Sequence, residues 1–196
     1  MIPKASGGVR PIGLFTGLHR IWAKARRPLA DSWEKEHRED FFAAATGQSA
    51  IDTVWRQALA AEQAVHSKNA CGAVLVDLSA FFEHLDHEVL WDRALDANFP
   101  EPITRLAVAS YRAPRHITQD GRIAPPLAAD RGVIAGCGLA TTWVKVYCWK
   151  PLKQFTARHP QVTLDAYIDD FTLSAKGADE KEVRKLLSRA AKDSLR

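Results

Sequence analysis

The sequence has few of the features that mark secreted, membrane or metal-cluster proteins. Its 196 residues include three cysteines, Cys71, Cys137 and Cys148, an odd number without the spacing of a zinc site or a redox pair. We expect reduced thiols, with Cys71 and Cys148 buried in apolar surroundings, which indicates an intracellular protein without distinguishing nucleus from cytoplasm. No apolar run approaches the length of a membrane span, and the start of the chain lacks the apolar core of a signal peptide. We therefore expect no membrane partner.

The composition is that of a globular protein. Hydrophobic residues make up 46% of the chain, with six tryptophans and eight phenylalanines, which is enough apolar material for a core and excludes a disordered chain. The net charge of +4 and the pI of about 9.0 fit a polyanionic partner, although many soluble proteins are equally basic. There is no internal repeat and no low-complexity segment.

The first third of the chain is predicted to be helical after an extended or hairpin start over residues 2–11. Apolar residues at helical spacing predict one helix, with Leu18, Ile21, Trp22, Ala25 and Leu29 on one face. Ser49 and Asp52 form a capping-box pattern that opens a second helix. Its apolar stripe consists of Ile51, Val54, Trp55, Ala58, Leu59 and Val65.

The rest of the chain alternates short strands with helices. A buried strand is predicted over residues 73–78, helices over 87–97, 102–111 and 139–158, and a hairpin turn at Asp120-Gly121. Strands over residues 162–168 and 171–174 meet at a turn formed by Asp169 and Asp170, and a last helix is capped by Asp179 and Glu182. This order predicts an α+β fold, a small antiparallel sheet backed by helices, rather than a doubly wound sheet.

Three aspartates stand out because they lie beside apolar strands. Asp77 ends the strand over residues 73–78, and Asp169 and Asp170 lie between apolar residues at a turn. Taken singly, Asp77 can cap the following segment, and Asp169-Asp170 can be a solvated acidic turn. Taken together on adjacent strands, they would form a carboxylate cluster that hard cations such as Mg²⁺ or Mn²⁺ neutralise, as in two-metal phosphoryl transfer.

Four segments, in order, resemble the motifs of reverse transcriptases of the non-LTR retrotransposon and group II intron type. Residues 76–87 read VDLSAFFEHLDH and resemble motif A, and residues 166–170 read AYIDD and resemble motif C, the Tyr-x-Asp-Asp box. Residues 2–4 and 7–12 resemble the fingers motif, and residues 131–137, RGVIAGC, occupy the place of motif B. The resemblance implies a right-hand polymerase palm with partial fingers: residues 1–70 would be partial fingers and fingers-palm helices, residues 71–196 the palm, and the thumb would be absent.

The resemblance also implies roles for individual residues. Asp77 and Asp169 would bind two Mg²⁺ or Mn²⁺ ions with the backbone carbonyl of Leu78, and Asp170 would be a weaker ligand. Other residues would bind the nucleotide: Lys4 and Arg10 at the triphosphate, Phe82 as a steric gate against a ribose 2′-OH, and Gly136 by letting the backbone approach the template pair. The basic groups of the first helix would contact nucleic acid, namely Arg20, Lys24 and Arg27.

Each of these side chains also has a simpler interpretation. Phe82 can be a core residue, Lys4 a solvated terminus, and Arg20, Lys24 and Arg27 a solvated helix face. His84 and His87 could suggest a metal pair, but packing and capping are the better explanation at a strand-to-helix corner.

The chain departs from the family pattern at two places. Ala135-Gly136 and Ala140-Thr141 stand where the family usually has Gln-Gly and Ser-Pro, and Glu83 stands where it often has Asp. The first change removes an amide that helps to align the template, and neither change removes a metal ligand.

The leading interpretation is an RNA-directed DNA polymerase domain from a retroelement. Its partners would be an RNA or DNA template with a primer, and deoxynucleoside triphosphates. The alternatives are a catalytically impaired remnant that only binds nucleic acid, or an RNA-directed RNA polymerase, against which Phe82 argues. The sequence does not give the oligomeric state.

Overall fold

The structure is a computed structural model that describes residues 2–3, 9–10, 13–44, 49–119 and 121–194. Helices and strands follow in chain order: β1 (Ile2–Pro3), β2 (Val9–Arg10), α1 (Gly17–Glu36), α2 (Ala50–His66), β3 (Ala70–Asp77), α3 (Phe81–His84), α4 (His87–Asp96), α5 (Glu101–Arg112), β4 (Thr118–Gln119), β5 (Arg122–Ile123), α6 (Ala140–Arg158), β6 (Val162–Tyr167), β7 (Asp170–Gly177) and α7 (Glu180–Ser194).

The chain divides into two compact units. The first combines Met1–Glu36 with Ala80–Tyr147, and the second combines His37–Ser79 with Cys148–Arg196. Both units are discontinuous in sequence, and α6 passes from the first to the second. These compact units do not test the predicted division into polymerase fingers (residues 1–70) and palm (residues 71–196), which stays a prediction.

A three-stranded antiparallel sheet organises the second unit. Its strand order is β3-β7-β6, so that β7 is central. Alternate side chains of the strands point to one face, where Leu164 and Leu173 pack with Val183 and Leu187 of α7 into an apolar core. The outer edge of β6 is covered by the segment before α2, because the amide of Ala166 donates to the carbonyl of Phe41 over 2.7 Å. This arrangement leaves the opposite face of the sheet for α2 and for the acidic residues.

An aromatic core holds the first unit together. Phe99 packs between Trp33 and Trp143, with ring centroids 5.5 and 4.8 Å apart, and the Trp33 indole donates to the carbonyl of Ala97 over 2.7 Å. Beside it, Lys145 of α6 forms an ion pair of 2.5 Å with the buried carboxylate of Glu34 in α1. These two contacts give the Trp33 indole and the Glu34 carboxylate their partners inside the core.

The α+β class and a small antiparallel sheet backed by helices are confirmed. Helices form at all the predicted places, Ser49 and Asp52 form the expected reciprocal capping box, and Asp179 accepts from the amide of Glu182 over 2.8 Å. The chain start pairs as a short hairpin, β1 with β2, and Gly121 adopts the left-handed backbone (φ +75°) of the β4–β5 turn, whereas Asp120 lies outside the described residues.

The apolar faces predicted for α1 and α2 are exposed and not buried. Leu18 is 81% exposed and Trp55 is 70% exposed, and the other large aliphatic residues of the two stripes are exposed as well. The buried residues are Ala23, Ala30 and Trp33 in α1 and Thr53 and Ala64 in α2. The periodicity correctly identified the two helices. Most of the buried side chains are small, and small side chains let a helix approach its neighbouring element closely.

Three smaller predictions also need correction. Strand β3 is an edge strand with half-buried and exposed positions in alternation, not a buried strand, and its Leu75 is 82% exposed. The acidic turn consists of Ile168 and Asp169, because Asp170 already pairs in β7. All three cysteines carry reduced thiols as expected, but Cys71 lies on an exposed position. Among the described helices, none has the length and apolar character needed to cross a membrane.

Candidate active site

The end of β3 and the β6–β7 hairpin bring the three aspartates of the second unit together. Asp77, the last residue of β3, lies opposite Asp170, the first residue of β7, and Asp170 in turn lies opposite Tyr167 at the end of β6. Residues at paired positions project to the same face of a sheet with Cβ atoms about 5 Å apart. Asp77 and Asp170 therefore form a carboxylate pair across two strands.

A strained two-residue turn carries the third aspartate. The loop between Tyr167 and Asp170 consists of Ile168 and Asp169, and Ile168 adopts φ +59°, a left-handed conformation that β-branched residues rarely occupy. The amide of Leu78, just after Asp77, donates to the carbonyl of Asp169 over 3.3 Å. This bond ties the turn to the end of β3. Backbone strain of this kind is typical of functional sites.

The register pairs Asp77 with Asp170 and not with Asp169, which sequence reasoning could not have decided. Asp77 and Asp170 are exposed and Asp169 is half-buried. Like charges at opposed positions destabilise a sheet, and a bound cation offsets that repulsion. The oxygen-only donors fit a hard divalent ion. Within the described ranges, however, no group of three His, Cys, Asp or Glu side chains is placed so as to hold a metal ion. Asp77 and Asp170 are thus the carboxylates that the register of the sheet pairs directly.

Asp165 is a further carboxylate on this face that the sequence reasoning missed. It lies opposite Thr172, two positions along from Asp170, and is only 6% exposed. Arg56 and Gln57 of α2 donate to its two oxygens over 3.3 and 3.0 Å. This network fixes α2 to the sheet face that carries the aspartates. The signal available was an acidic residue in an apolar strand, the same feature that distinguished Asp77.

The motif A and motif B segments of the first unit are bonded to each other. Phe82 lies half-buried in α3, and its carbonyl accepts from the amide of Val133 over 2.7 Å. Gly136 lies so close to Gly13 that a Cβ added to it would be 2.5 Å from the Gly13 carbonyl oxygen. The absence of a side chain at Gly136 is therefore required within the unit, and its proximity to a template pair stays a prediction.

Titratable groups also surround the motif B segment. The Cys137 thiol lies 3.6 Å from Nε2 of His19, and burial lowers the pKa of His19. Burial, and then the neighbouring Cys137, raise the pKa of Tyr111 well above its usual value. Since both shifts favour the uncharged side chain, this cluster is a packed structural contact around Cys137.

Of the residues predicted to bind phosphate and nucleic acid, Arg10 lies in β2, and Arg20, Lys24 and Arg27 lie in α1. Lys4 lies outside the described residues, and the backbone of Arg10 pairs with Ile2. Arg20 and Lys24 are exposed on α1. Arg27 is half-buried, forms an ion pair of 2.7 Å with Asp31 and donates to the carbonyl of Gly138, so part of its charge is already used within the protein.

Solved structures with a similar fold come from telomerases. Apo telomerase from Candida tropicalis superimposes with a TM-score of 0.62 at 10% identity, over 88% of this chain and 33% of that chain. Telomerase from Candida albicans, in complex with a fragment of telomeric RNA, gives a TM-score of 0.57 at 10% identity, over 88% of this chain and 32% of that one. The chain thus spans about a third of the length of these structures, and at such low identity the likeness concerns the fold.

Sequence comparison assigns the chain more directly. No curated protein matches it significantly. The model of the family described as reverse transcriptase (RNA-dependent DNA polymerase) matches residues 2–195. That match spans nearly the whole chain and all four motifs. It shows that the chain belongs to the reverse transcriptase family.

Proposed function

We propose that this chain carries the nucleotidyl-transfer site of an RNA-directed DNA polymerase from a retroelement. The observation that carries the proposal is the opposed pair of Asp77 and Asp170 beside the strained turn that holds Asp169. Two like charges at one paired position destabilise a purely structural sheet. In a site that binds cations, the same two carboxylates serve as ligands.

The proposed reaction joins a nucleotide to a primer. The oxygen of the primer 3′-hydroxyl forms a bond to the α-phosphorus of a deoxynucleoside triphosphate, the bond to pyrophosphate breaks, and the hydroxyl proton is lost to solvent. Two bound Mg²⁺ or Mn²⁺ ions would supply activation of the hydroxyl and charge stabilisation on the leaving phosphate. Asp77, Asp169 and the carbonyl of Leu78 would hold them, with Asp170 as the weaker ligand.

Residues outside the carboxylate cluster would bind the substrates. By the family resemblance, Lys4 and Arg10 contact the triphosphate, Phe82 excludes a ribose 2′-OH, and Gly136 admits the template pair. Arg20 and Lys24, which are exposed on α1, would contact the phosphates of the template and primer, with a smaller contribution from Arg27 because of its ion pair with Asp31.

Primer extension tests the proposal. The chain is supplied with a primed RNA template, deoxynucleoside triphosphates and Mg²⁺ or Mn²⁺, alone and within a longer protein that includes a thumb domain to grip the duplex. We expect extension by the wild type and none by Asp169→Asn. Asp92→Asn, which removes an exposed carboxylate from α4 of the other unit, is the control for the change of charge and should extend normally.

Two results would replace this function by another. If wild type and Asp169→Asn are equally inert in both forms but retain binding of the primed template, the chain is a nucleic-acid-binding remnant, as Ala135 in place of the usual motif B glutamine would suggest. If the wild type extends the primer with ribonucleotides in preference to deoxynucleotides, it is an RNA-directed RNA polymerase.

A further inference from the structure

The carbonyl oxygen of Gly132 receives two side-chain donors inside the first unit. Nε2 of His87 lies 3.0 Å from it and Nη2 of Arg115 lies 3.2 Å from it. Because a carbonyl only accepts hydrogen bonds, Nε2 of His87 carries the proton in this contact. His87 is fully buried at the start of α4. This interaction is therefore a built feature of the interior and not a surface contact.

Gly132 is in turn fixed against the segment that carries Phe82. Its amide donates to the carbonyl of Leu85 over 2.7 Å, and the next amide, that of Val133, donates to the carbonyl of Phe82 over 2.7 Å. Gly132 adopts φ +93°, and a Cβ there would lie 3.1 Å from the backbone oxygen of Glu83. Only glycine fits this close approach. The two segments therefore form one locally rigid contact between motif A and motif B.

The side chains of His87 and Arg115 are partly or fully removed from water. Nη2 of Arg115 also donates to the carbonyl of Tyr111 over 2.8 Å. The backbone amide of Arg115 donates to the carbonyl of Leu127, and the amide of Leu127 donates to the carbonyl of Arg115. Burial lowers the pKa of the Arg115 guanidinium. Nδ1 of His87 and Nε of Arg115 are buried without a hydrogen-bond partner among the residues that the structure describes.

We propose that His87 and Arg115 are positioning residues for Phe82: by holding the Gly132 carbonyl, they fix the backbone to which Phe82 is bonded and so set its discrimination between deoxyribose and ribose. The proposal rests on the proposed polymerase function, in which Phe82 is the steric gate. In this proposal the contact from His87 to the Gly132 carbonyl serves the site, in addition to the place of His87 at the start of α4. A gate can exclude a 2′-hydroxyl only if its backbone does not yield, because a displacement of about 1 Å opens the space the hydroxyl needs.

Amide hydrogen exchange tests the fixation without any requirement for activity. The amides of Gly132 and Val133 report on the bonds to Leu85 and Phe82. In His87→Leu and in Arg115→Met, we expect these two amides to exchange at least about tenfold faster, which corresponds to the loss of one buried hydrogen bond. In His87→Gln, whose amide nitrogen stands the same number of bonds from the backbone as Nε2, protection should return. Exposed His84→Leu, at the same corner of the chain, is the matched control.

Two exchange results decide against the proposal. Unchanged protection of Gly132 and Val133 in both His87→Leu and Arg115→Met would overturn it. Equal acceleration of amides throughout β3 and β7 would show a general loss of stability and would also overturn it. Arg115→Met keeps the test decisive if His87→Leu does not fold.

Sugar selection tests the consequence. The preference for a deoxynucleotide over the matching ribonucleotide, taken as the ratio of kcat/KM values, should fall at least about fivefold in His87→Leu and be restored in His87→Gln. A destabilised but correctly positioned enzyme would lose rate equally for both sugars. If the amides of Gly132 and Val133 exchange faster but the ratio of kcat/KM values for the two sugars does not change, His87 and Arg115 do not position Phe82. If the wild type itself does not polymerise, the proposed function fails and the link fails with it, whereas the exchange data still decide whether the two donors fix the segment.

Discussion

Asp77 and Asp170 lie directly opposite each other in the antiparallel pair of β3 and β7, so that two carboxylates share one position of the sheet. Neither appears among the ion pairs of the described residues, whereas Asp165, two positions along the same face, has both Arg56 and Gln57. Among the described residues, the carboxylate that fixes α2 thus has a cationic partner, and the pair at the end of the sheet has none. The repulsion between the two carboxylates lowers the stability of the sheet, and the same two carboxylates can bind cations.

Asp77→Asn should therefore stabilise the protein while it abolishes nucleotide transfer. Removing one of two opposed like charges is worth about 0.2–1 kcal/mol in a sheet. Urea unfolding in the absence of divalent ions measures the gain, and Asp92→Asn, with the same change of net charge, should show none. Added Mg²⁺ should raise the unfolding midpoint of the wild type more than that of Asp77→Asn, since a ligand stabilises the state that binds it. A less stable Asp77→Asn protein would contradict the repulsion.

Phe82→Val should admit ribonucleotides without loss of deoxynucleotide incorporation. The smaller side chain leaves room for a 2′-hydroxyl, whereas the backbone bond from Val133 to Phe82 does not depend on the ring. The measurement is primer extension with each sugar. Phe81→Val, one residue earlier in the same short helix, is the matched control and should keep the wild-type preference. If the two variants behave alike, Phe82 is a packing residue.

The sequence predicted the elements of this fold better than their environments. Hydrophobic spacing located α1 and α2, but Leu18 and Trp55, the kind of residue that normally marks a buried face, are exposed. Periodicity reports that one side of a helix is apolar. It does not report which side a sheet or a second helix can approach, and in α2 that side carries Thr53 and Ala64.

The candidate site was predictable in composition and not in register. The resemblance to motifs A and C singled out Asp77, Asp169 and Asp170 together, because each aspartate alone also fits a cap or a solvated turn. A shift of one residue at the turn exchanges the partner of Asp77, and this register depends on the conformation of Ile168, which no propensity would assign to a β-branched residue. Asp165 escaped notice because its partners lie 109 and 108 residues away in the chain.

Removal of either partner of the Asp165–Arg56 pair should have unequal effects on stability. Asp165 is buried, whereas the Arg56 side chain is 48% exposed. Arg56→Met leaves a buried carboxylate with Gln57 as its remaining donor and should cost about 2–4 kcal/mol, whereas Asp165→Asn leaves an arginine that reaches water and should cost about 1 kcal/mol. Denaturant midpoints of the two variants measure the difference. The double variant should recover part of the loss of Arg56→Met, and equal losses in the two single variants would contradict the asymmetry.

Asp86 should make stability depend on acid pH. It caps α4, accepting from the amides of Glu88 and Val89 over 2.8 and 3.0 Å, and the bond from Val89 is the main cause that lowers its pKa below the usual 3.8. A lowered folded-state pKa means that the stabilisation is complete above the unfolded-state value and is lost as the pH falls through the folded one. Asp86→Ala should cost about 1 kcal/mol near pH 6.

The acid dependence has its own control. Asparagine caps helices about as well as aspartate but does not titrate, so Asp86→Asn should keep most of the stability near pH 6. Unfolding midpoints at pH 6 and at pH 3 should therefore fall further for the wild type than for Asp86→Asn. An equal fall in both proteins would assign the acid sensitivity to other carboxylates.

Ile168→Asn should stabilise the turn between Tyr167 and Asp170 and leave the site intact. A left-handed conformation costs an L-residue roughly 1–2 kcal/mol, and asparagine tolerates it far better than a β-branched side chain. Part of that gain is offset because Ile168 is half-buried, so we expect a net gain of about 0.5–1 kcal/mol in unfolding free energy. Ile168→Val, which keeps the β-branch and the strain, should show no gain. Primer extension by Ile168→Asn should stay near the wild-type rate, because asparagine adopts the same left-handed backbone and keeps Asp169 in place. Wild-type stability in Ile168→Asn would show that φ +59° at this position is not strained, and slower extension would show that the Ile168 side chain, and not the turn conformation, positions Asp169.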